Sequence, residues 1–200
     1  MLPDFKGVSN FDDIQKRFKE SARQIMLGCD LEYEDGRRWR ITALELYLRL
    51  NKRPDVWLDP YTDEDEEQLN SGSWYIRQKK GPGYWRIDIT AGSRDENIHA
   101  GLLIRQLDRQ NGPAYALHKI VLGHFQRQRW LDEEKQRAQK LHGTSIRAGH
   151  LKLVRHSRPT EGDIWIGPRI GLSKKHDDQF RRAPLRISTW KMDEHMQRAP

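Results

Sequence analysis

Apolar side chains recur at steps of three and four through Phe11, Ile14, Phe18, Ala22 and Ile25, which is the spacing of one face of an α-helix. Asn10 stands ready to cap that helix and Leu27-Gly28 to end it, so the pattern predicts an amphipathic helix lying on a sheet. The period then changes. Residues 29–33 read as a strand, Glu34-Asp35-Gly36 as a tight turn and residues 37–48 as the returning strand, a first hairpin. In that second strand Ile41, Ala43, Leu44, Leu46 and Leu48 supply apolar residues to both faces. Glu45 is the one carboxylate among them. It must either sit at a cleft or be compensated by partners, such as an arginine at a strand edge. Tyr47 shares its facing, which puts an acid beside an aromatic ring.

Residues 51–70 read as a loop, with Pro54, Pro60 and the acidic run Asp63-Glu64-Asp65-Glu66-Glu67, long enough to cover or border a site. The run lacks the glycine and spacing of a calcium loop and reads as a solvated helix start or loop. Residues 73–78 and 84–90 are β-rich and flank Lys79-Lys80-Gly81-Pro82-Gly83, a second hairpin with a basic tip. Arg77, Lys79, Lys80 and Arg86 interleave with Trp74, Tyr75, Tyr84 and Trp85. Cations beside stacking or wedging rings suit a hairpin that enters a nucleic-acid groove; the alternative is an ordinary hairpin with a soluble tip. Residues 100–107, AGLLIRQL, form a buried strand interrupted by Arg105, a partner for a phosphate or for Glu45. Asn111-Gly112-Pro113 opens a helix over 114–125. Residues 127–141 read as a charged, solvated helix anchored by Trp130, Leu131, Ala138 and Leu141, and residues 142–158 as a basic, less regular stretch. A strand at 164–166, a tight turn over 167–172 and a closing segment over 181–187 complete a domain over 1–190, followed by a tail over 191–200. The mixture of helices and hairpins predicts an α+β fold.

A chain of 200 residues is long enough to bury a core, and 36% hydrophobic content makes that core lean. The net charge of +7 and a pI near 9.6 favour a polyanionic partner, nucleic acid before a membrane surface. No apolar run reaches the roughly 20 residues of a spanning helix, and Met1-Leu2-Pro3-Asp4-Phe5 lacks the regions of a signal peptide. The expectation is an intracellular protein, cytoplasmic or nucleoid-associated if bacterial. Cys29 is the sole cysteine and the 8 histidines are scattered, so neither a disulfide nor a cysteine zinc site is available. No Gly-rich phosphate loop is present. No metal or cofactor is therefore expected.

Taken in order, the segments resemble the alkyladenine (methylpurine) DNA glycosylases. ARQIMLGCDLEY is similar to that family's helix end and strand entry, ALELY to its TEAY strand, and SGSWYIR with GYWRIDIT to its GTLYVY hairpin. AGLLIRQLD resembles its VLLRALEP strand, NGPAYALHKIVL its GPSKLCQAL helix, and RIGLSKKHDDQFRRAPLRIS its closing RVGV and PLRF motifs. The resemblance implies a single mixed α/β domain with a curved, mostly antiparallel sheet and flanking helices, like a formyltransferase C-terminal domain. It implies that Glu45 is the general base, with Tyr47, Tyr75, Arg77 and Asp88 binding the flipped base. It places Lys79, Lys80, Pro82, Tyr84, Arg86 and Arg105 on DNA, one tip residue acting as a wedge. Arg77 stands where the family has a second stacking tyrosine, Asp88 near its asparagine, and residues 50–70 hold no counterpart of its histidine.

Hydrolysis of an N-glycosidic bond passes through an oxocarbenium-like state, so a carboxylate that aligns water and opposes positive charge suits it. The expectation is a monofunctional, monomeric enzyme of base-excision repair that flips a modified, for example alkylated, base from double-stranded DNA. Two alternatives are a non-catalytic DNA-binding homologue with the same basic hairpin face and, on charge and aromatics alone, an RNA-binding module.

Overall fold

The structure is a computed structural model and describes residues 3–78, 85–108, 131–156, 161–173 and 178–199. Helix α1 spans Phe11–Gly28, and the side chain of Asn10 accepts a hydrogen bond from the backbone N–H of Asp13 at 2.9 Å. Its buried residues Ile14, Phe18, Ala22, Ile25 and Met26 lie on one stripe, and each large apolar side chain so buried stabilises the fold by roughly 1.5–3 kcal/mol. The stripe rests on the first hairpin, β1 (Cys29–Tyr33) and β2 (Arg38–Leu50). Gly36 in the connecting turn has φ +81°, a left-handed conformation that glycine adopts without strain.

The remaining strands are β3 (Ser71–Gln78), β4 (Trp85–Ala91), β5 (Ile98–Asp108), β6 (Leu151–Arg155), β7 (Trp165–Gly167), β8 (Arg186–Ser188) and β9 (Gln197–Arg198). Two further helices, α2 (Leu131–Leu141) and α3 (Asp178–Arg182), and a short 3₁₀ turn, Glu66–Leu69, complete the described elements. The sheet runs β3-β4-β5-β2-β8-β7-β9 and is antiparallel at each of these pairings. Strand β2 is its axis. One edge pairs with β5 along most of its length, while the other is shared by β1 at Arg38 to Arg40 and β8 at Ala43 to Glu45. Register shifts on either side of Ala43 mark a bulge there, which bends a strand and re-aims its side chains. The α+β, antiparallel character expected from the sequence is present.

The register sorts side chains onto two faces. Leu44, Leu46 and Leu48 of β2 join Leu102 and Ile104 of β5, Ile87 and Ile89 of β4 and Trp74 and Ile76 of β3 in one buried core with α1. On the opposite face Tyr75 pairs with Asp88, Asp88 with Leu103 and Leu103 with Glu45. Polar residues of β3, β4 and β2 thus fall in one row, with Leu103 of β5 between Asp88 and Glu45.

Several expectations change. Trp74 is fully buried and its indole N–H donates to Leu151 O at 2.7 Å; as a core residue it offers no surface to nucleic acid. The less regular stretch expected from 142 holds a strand, because β6 pairs with β1. In the tail expected over 191–200, the described residues 191–199 are tied to the domain: β9 pairs with β7, Met196 is buried, and Asp193 forms an ion pair with the buried Arg186. The acidic run is not uniformly solvated. Asp63 pairs with Arg77, and Asp65 accepts from the Tyr75 hydroxyl. The helix expected over 114–125, with Trp130, and the hairpin tip over 79–84 lie outside the described residues. Among the described residues no helix is long and apolar enough to cross a membrane.

Candidate functional site

Glu45 sits in the middle of β2 with no solvent exposure. A carboxylate there needs partners from several directions, since burying an uncompensated charge is costly. Arg105 of β5 supplies the charge, its Nη2 lying 2.8 Å from Glu45 Oε2. The Tyr47 hydroxyl donates to the same oxygen at 3.1 Å, and the backbone N–H of Ile170 donates to Oε1 at 3.1 Å. Arg105 Nη2 also donates to Ile170 O at 2.8 Å. Two adjacent strands and the 167–172 turn are therefore tied together at one carboxylate. The arginine is the partner the sequence allowed for, but Glu45 belongs to a central strand rather than an edge, and Arg105 is held by protein atoms. Its side chain remains 27% exposed, which makes it the solvent-facing side of the knot.

Tyr47 is only 3% exposed. The guanidinium of Arg169 lies 4.8 Å and that of Arg86 5.6 Å from its ring centre, both within cation–π range. The freely available stacking ring implied by the resemblance is thus enclosed here, and a base could lie on it only by displacing one of these cations. Burial, with Glu45 beside it, pushes the Tyr47 hydroxyl well above the usual tyrosine value, so it stays protonated and serves as a donor.

Arg169 is itself fully buried, in an ion pair with the fully buried Asp59. It donates further to Leu46 O at 3.1 Å and Phe180 O at 2.8 Å, and also lies 5.7 Å from the Tyr61 ring centre. One side chain thereby fixes the 167–172 turn, the 51–70 loop and the back of Tyr47. The sequence reading missed Arg169, Asp59, Tyr61 and Ile170. The signal for Arg169 and Ile170 was the RIG motif in the 167–172 turn; Asp59 and Tyr61 carried none.

Asp88 is buried at 3% exposure, and its Oδ1 has no partner among the described residues. Burial pushes its carboxyl up to about 7, against the pull of Arg77, Arg86 and Arg105. Tyr75 is buried next to it in register, with its hydroxyl on Asp65 and its ring centre 5.5 Å from that of His142. Arg77 is held by Asp63, whose carboxyl burial also raises. The structure therefore brings Glu45, Tyr47, Tyr75, Arg77, Arg86, Asp88 and Arg105 onto one sheet face. Lys79, Lys80, Pro82 and Tyr84 lie outside the described residues.

The sequence matches no family model and no curated protein. The chemistry available is therefore read from the face itself. A fixed carboxylate touching a guanidinium can orient a polar reactant and oppose developing positive charge. Among the described residues no group of three or more His, Cys, Asp or Glu is placed to hold a metal ion. A wide groove of about 1300 Å³ opens elsewhere, between α1 and β6, lined by Ile25, Leu27, Cys29, Ile146, Leu153 and Arg155. None of the residues of the Glu45 face lines it.

Proposed function

We propose that this chain is a monofunctional DNA glycosylase of formyltransferase C-terminal-domain-like fold, acting as a monomer on double-stranded DNA. A modified base is flipped from the duplex, and its N-glycosidic bond is hydrolysed by water activated at Glu45. The observation that carries the reading is the enclosure of Glu45 at the centre of the polar sheet face, gripped by Arg105, Tyr47 and the Ile170 N–H. Arg105 is the exposed side of that grip, so a shift of its side chain brings water to the carboxylate, which then acts as the base. The same negative charge opposes the oxocarbenium-like sugar as the bond breaks. Flipping costs a few kcal/mol, which contacts on this face and hairpin insertion offset. Tyr47, Tyr75, Arg77 and Asp88 border the base in this reading, and Arg86 with the hairpin tip meets the DNA backbone.

A second reading, a DNA-binding homologue without activity, is favoured by a specific feature: both Glu45 oxygens are occupied and the residue has no exposure. One experiment separates the two. Release of free base is measured from duplexes carrying a panel of modified bases, with wild type and Glu45→Gln. The amide keeps the shape but leaves Arg105 without its counter-charge, so melting is recorded alongside, and Glu45→Asp serves as a variant that retains the carboxylate. The glycosylase reading expects release by wild type, none by Glu45→Gln, and duplex binding within a few-fold. Release by a folded Glu45→Gln would move the chemistry elsewhere, and no release by wild type on any duplex would support the second reading.

A further inference from the structure

We propose that the groove between α1 and β6 is a binding site for a small amphipathic organic acid, its apolar body lying on Ile25, Leu27 and Leu153 and its carboxylate met by Arg23, Arg147 and Arg155. The proposal is independent of the glycosylase reading, since no residue of the Glu45 face lines this groove. The groove holds about 1300 Å³, more than the roughly 300–1,000 Å³ of an ordinary small-molecule site. Its long wall is the second half of α1, Glu20 to Gly28, about 12 Å of helix at a rise of about 1.5 Å per residue. The opposite wall is β6 and the chain leading into it. Gly28 leaves the opening clear, because a Cβ built on it would meet nothing within 4 Å.

Charge and area decide the chemistry of the occupant. Arg23 comes from α1, Arg147 from the chain before β6 and Arg155 from β6 itself, and among the described residues none of the three makes an ion pair. His156 is already engaged, its Nε2 lying 2.9 Å from Asp30 Oδ1. Glu20 and Glu161 are the acids of the lining and both are exposed, so the three arginines outnumber them. Arg155 also reaches over the floor. It stands across the β1–β6 ladder from Cys29, whose thiol burial pushes up while the Arg155 charge pulls it down. A carboxylate there gains charge-assisted hydrogen bonds where water screens them less than at an open surface. Area excludes a macromolecule. Ile25, Leu27 and Ile146 are already only 4%, 8% and 2% exposed, and Leu153 is half-buried. Little apolar surface therefore remains to cover, far less than the roughly 800 Å² each partner gives to a stable protein interface, yet enough for one short chain or ring.

The test uses the full chain, with Cys29, its sole cysteine, as a reporter inside the groove. Protection of Cys29 from maleimide and calorimetric binding are measured with octanoate, 1-octanol and octyltrimethylammonium, which share one chain and differ in charge, and with a DNA duplex. Wild type, Arg155→Gln and Gly28→Leu are compared, each with its melting curve. Octanoate should protect Cys29 saturably, half-protection falling at its calorimetric dissociation constant, and should bind at least about tenfold more tightly than the alcohol or the cation. Arg155→Gln should weaken octanoate about tenfold and leave octanol unchanged. Gly28→Leu, which places a side chain in the opening, should abolish calorimetric binding of both. Should Gly28→Leu fail to fold, Arg155→Gln still decides, because its side chain is exposed and makes no ion pair among the described residues. No saturable protection by octanoate up to about 10 mM, equal affinity for octanoate and octanol, or unchanged octanoate affinity in folded Arg155→Gln would each overturn the site. Protection of Cys29 by the duplex and not by octanoate would give the arginines to a DNA interface and overturn it too.

Discussion

Two carboxylates share one sheet face and meet their burial in opposite ways. Glu45 is answered by a guanidinium, a phenol and a backbone N–H, whereas Asp88 keeps one oxygen without a partner among the described residues, and burial pushes its carboxyl up to about 7. The consequence for stability has a definite sign. In the unfolded chain Asp88 releases its proton near 3.8, so between about pH 4 and 7 the native state binds a proton that the unfolded state does not. Its contribution is full below the lower value and is lost as pH rises through the upper one. Asp88→Asn removes that loss. At about pH 8 the variant should be more stable than wild type by up to roughly 4 kcal/mol, with the gap closing towards about pH 4. Urea melts across this range check it, and parallel curves for the two proteins would mean that Asp88 ionises normally.

The strands supply the floor of the site, and less regular segments supply its walls. Asp59 and Asp63 come from the 51–70 loop, and Arg169 and Ile170 from the turn after β7. That turn is held from behind by β8 and β9. Gly167 is packed so closely that a Cβ would lie 2.9 Å from Met196 Cγ, and Arg186, register-paired with Glu45, is 1% exposed and depends on Asp193 for its counter-charge. Deleting residues 190–200 should therefore cost about 3–5 kcal/mol, chiefly by leaving Arg186 buried without a partner, and should uncover the edge of β7. A deletion variant that melts within a degree or two of wild type would show that the last strand is dispensable.

For the whole molecule, the proposed DNA partner and the net charge of +7 together make counterion release the expected source of affinity. Lys79→Ala together with Lys80→Ala should weaken binding to all duplexes alike and make the dependence of log affinity on log salt shallower by about one unit per lost phosphate contact. A sequence-selective defect with an unchanged salt slope would remove those lysines from the backbone interface. On the glycosylase proposal, base release should come without strand cleavage. The described residues around Glu45 are arginines, a tyrosine and backbone groups, none of which forms the Schiff base a lyase requires. Borohydride trapping of a covalent adduct would contradict this.

The local order of the chain was legible in the sequence because its signals are local. The cap at Asn10, the three-and-four spacing to Ile25, the turn at Gly36 and the apolar run of β2 each depend on residues a few positions apart, and the single acid in a two-sided apolar strand marked Glu45 as the residue to explain. The last segments were less legible. Strands of two or three residues such as β8 and β9 have no period of their own and exist only because a partner strand is present. The composition of the site was decided in the same way. Asp59 and Arg169 are 110 residues apart and Glu45 and Ile170 are 125 apart, and whether an aspartate in a loop is solvated or sealed against an arginine depends on what the rest of the chain folds over it. Sequence alone determined which residue was out of place; the tertiary structure decided what surrounds it, because burial and pairing are properties of contacts that no stretch of chain contains by itself.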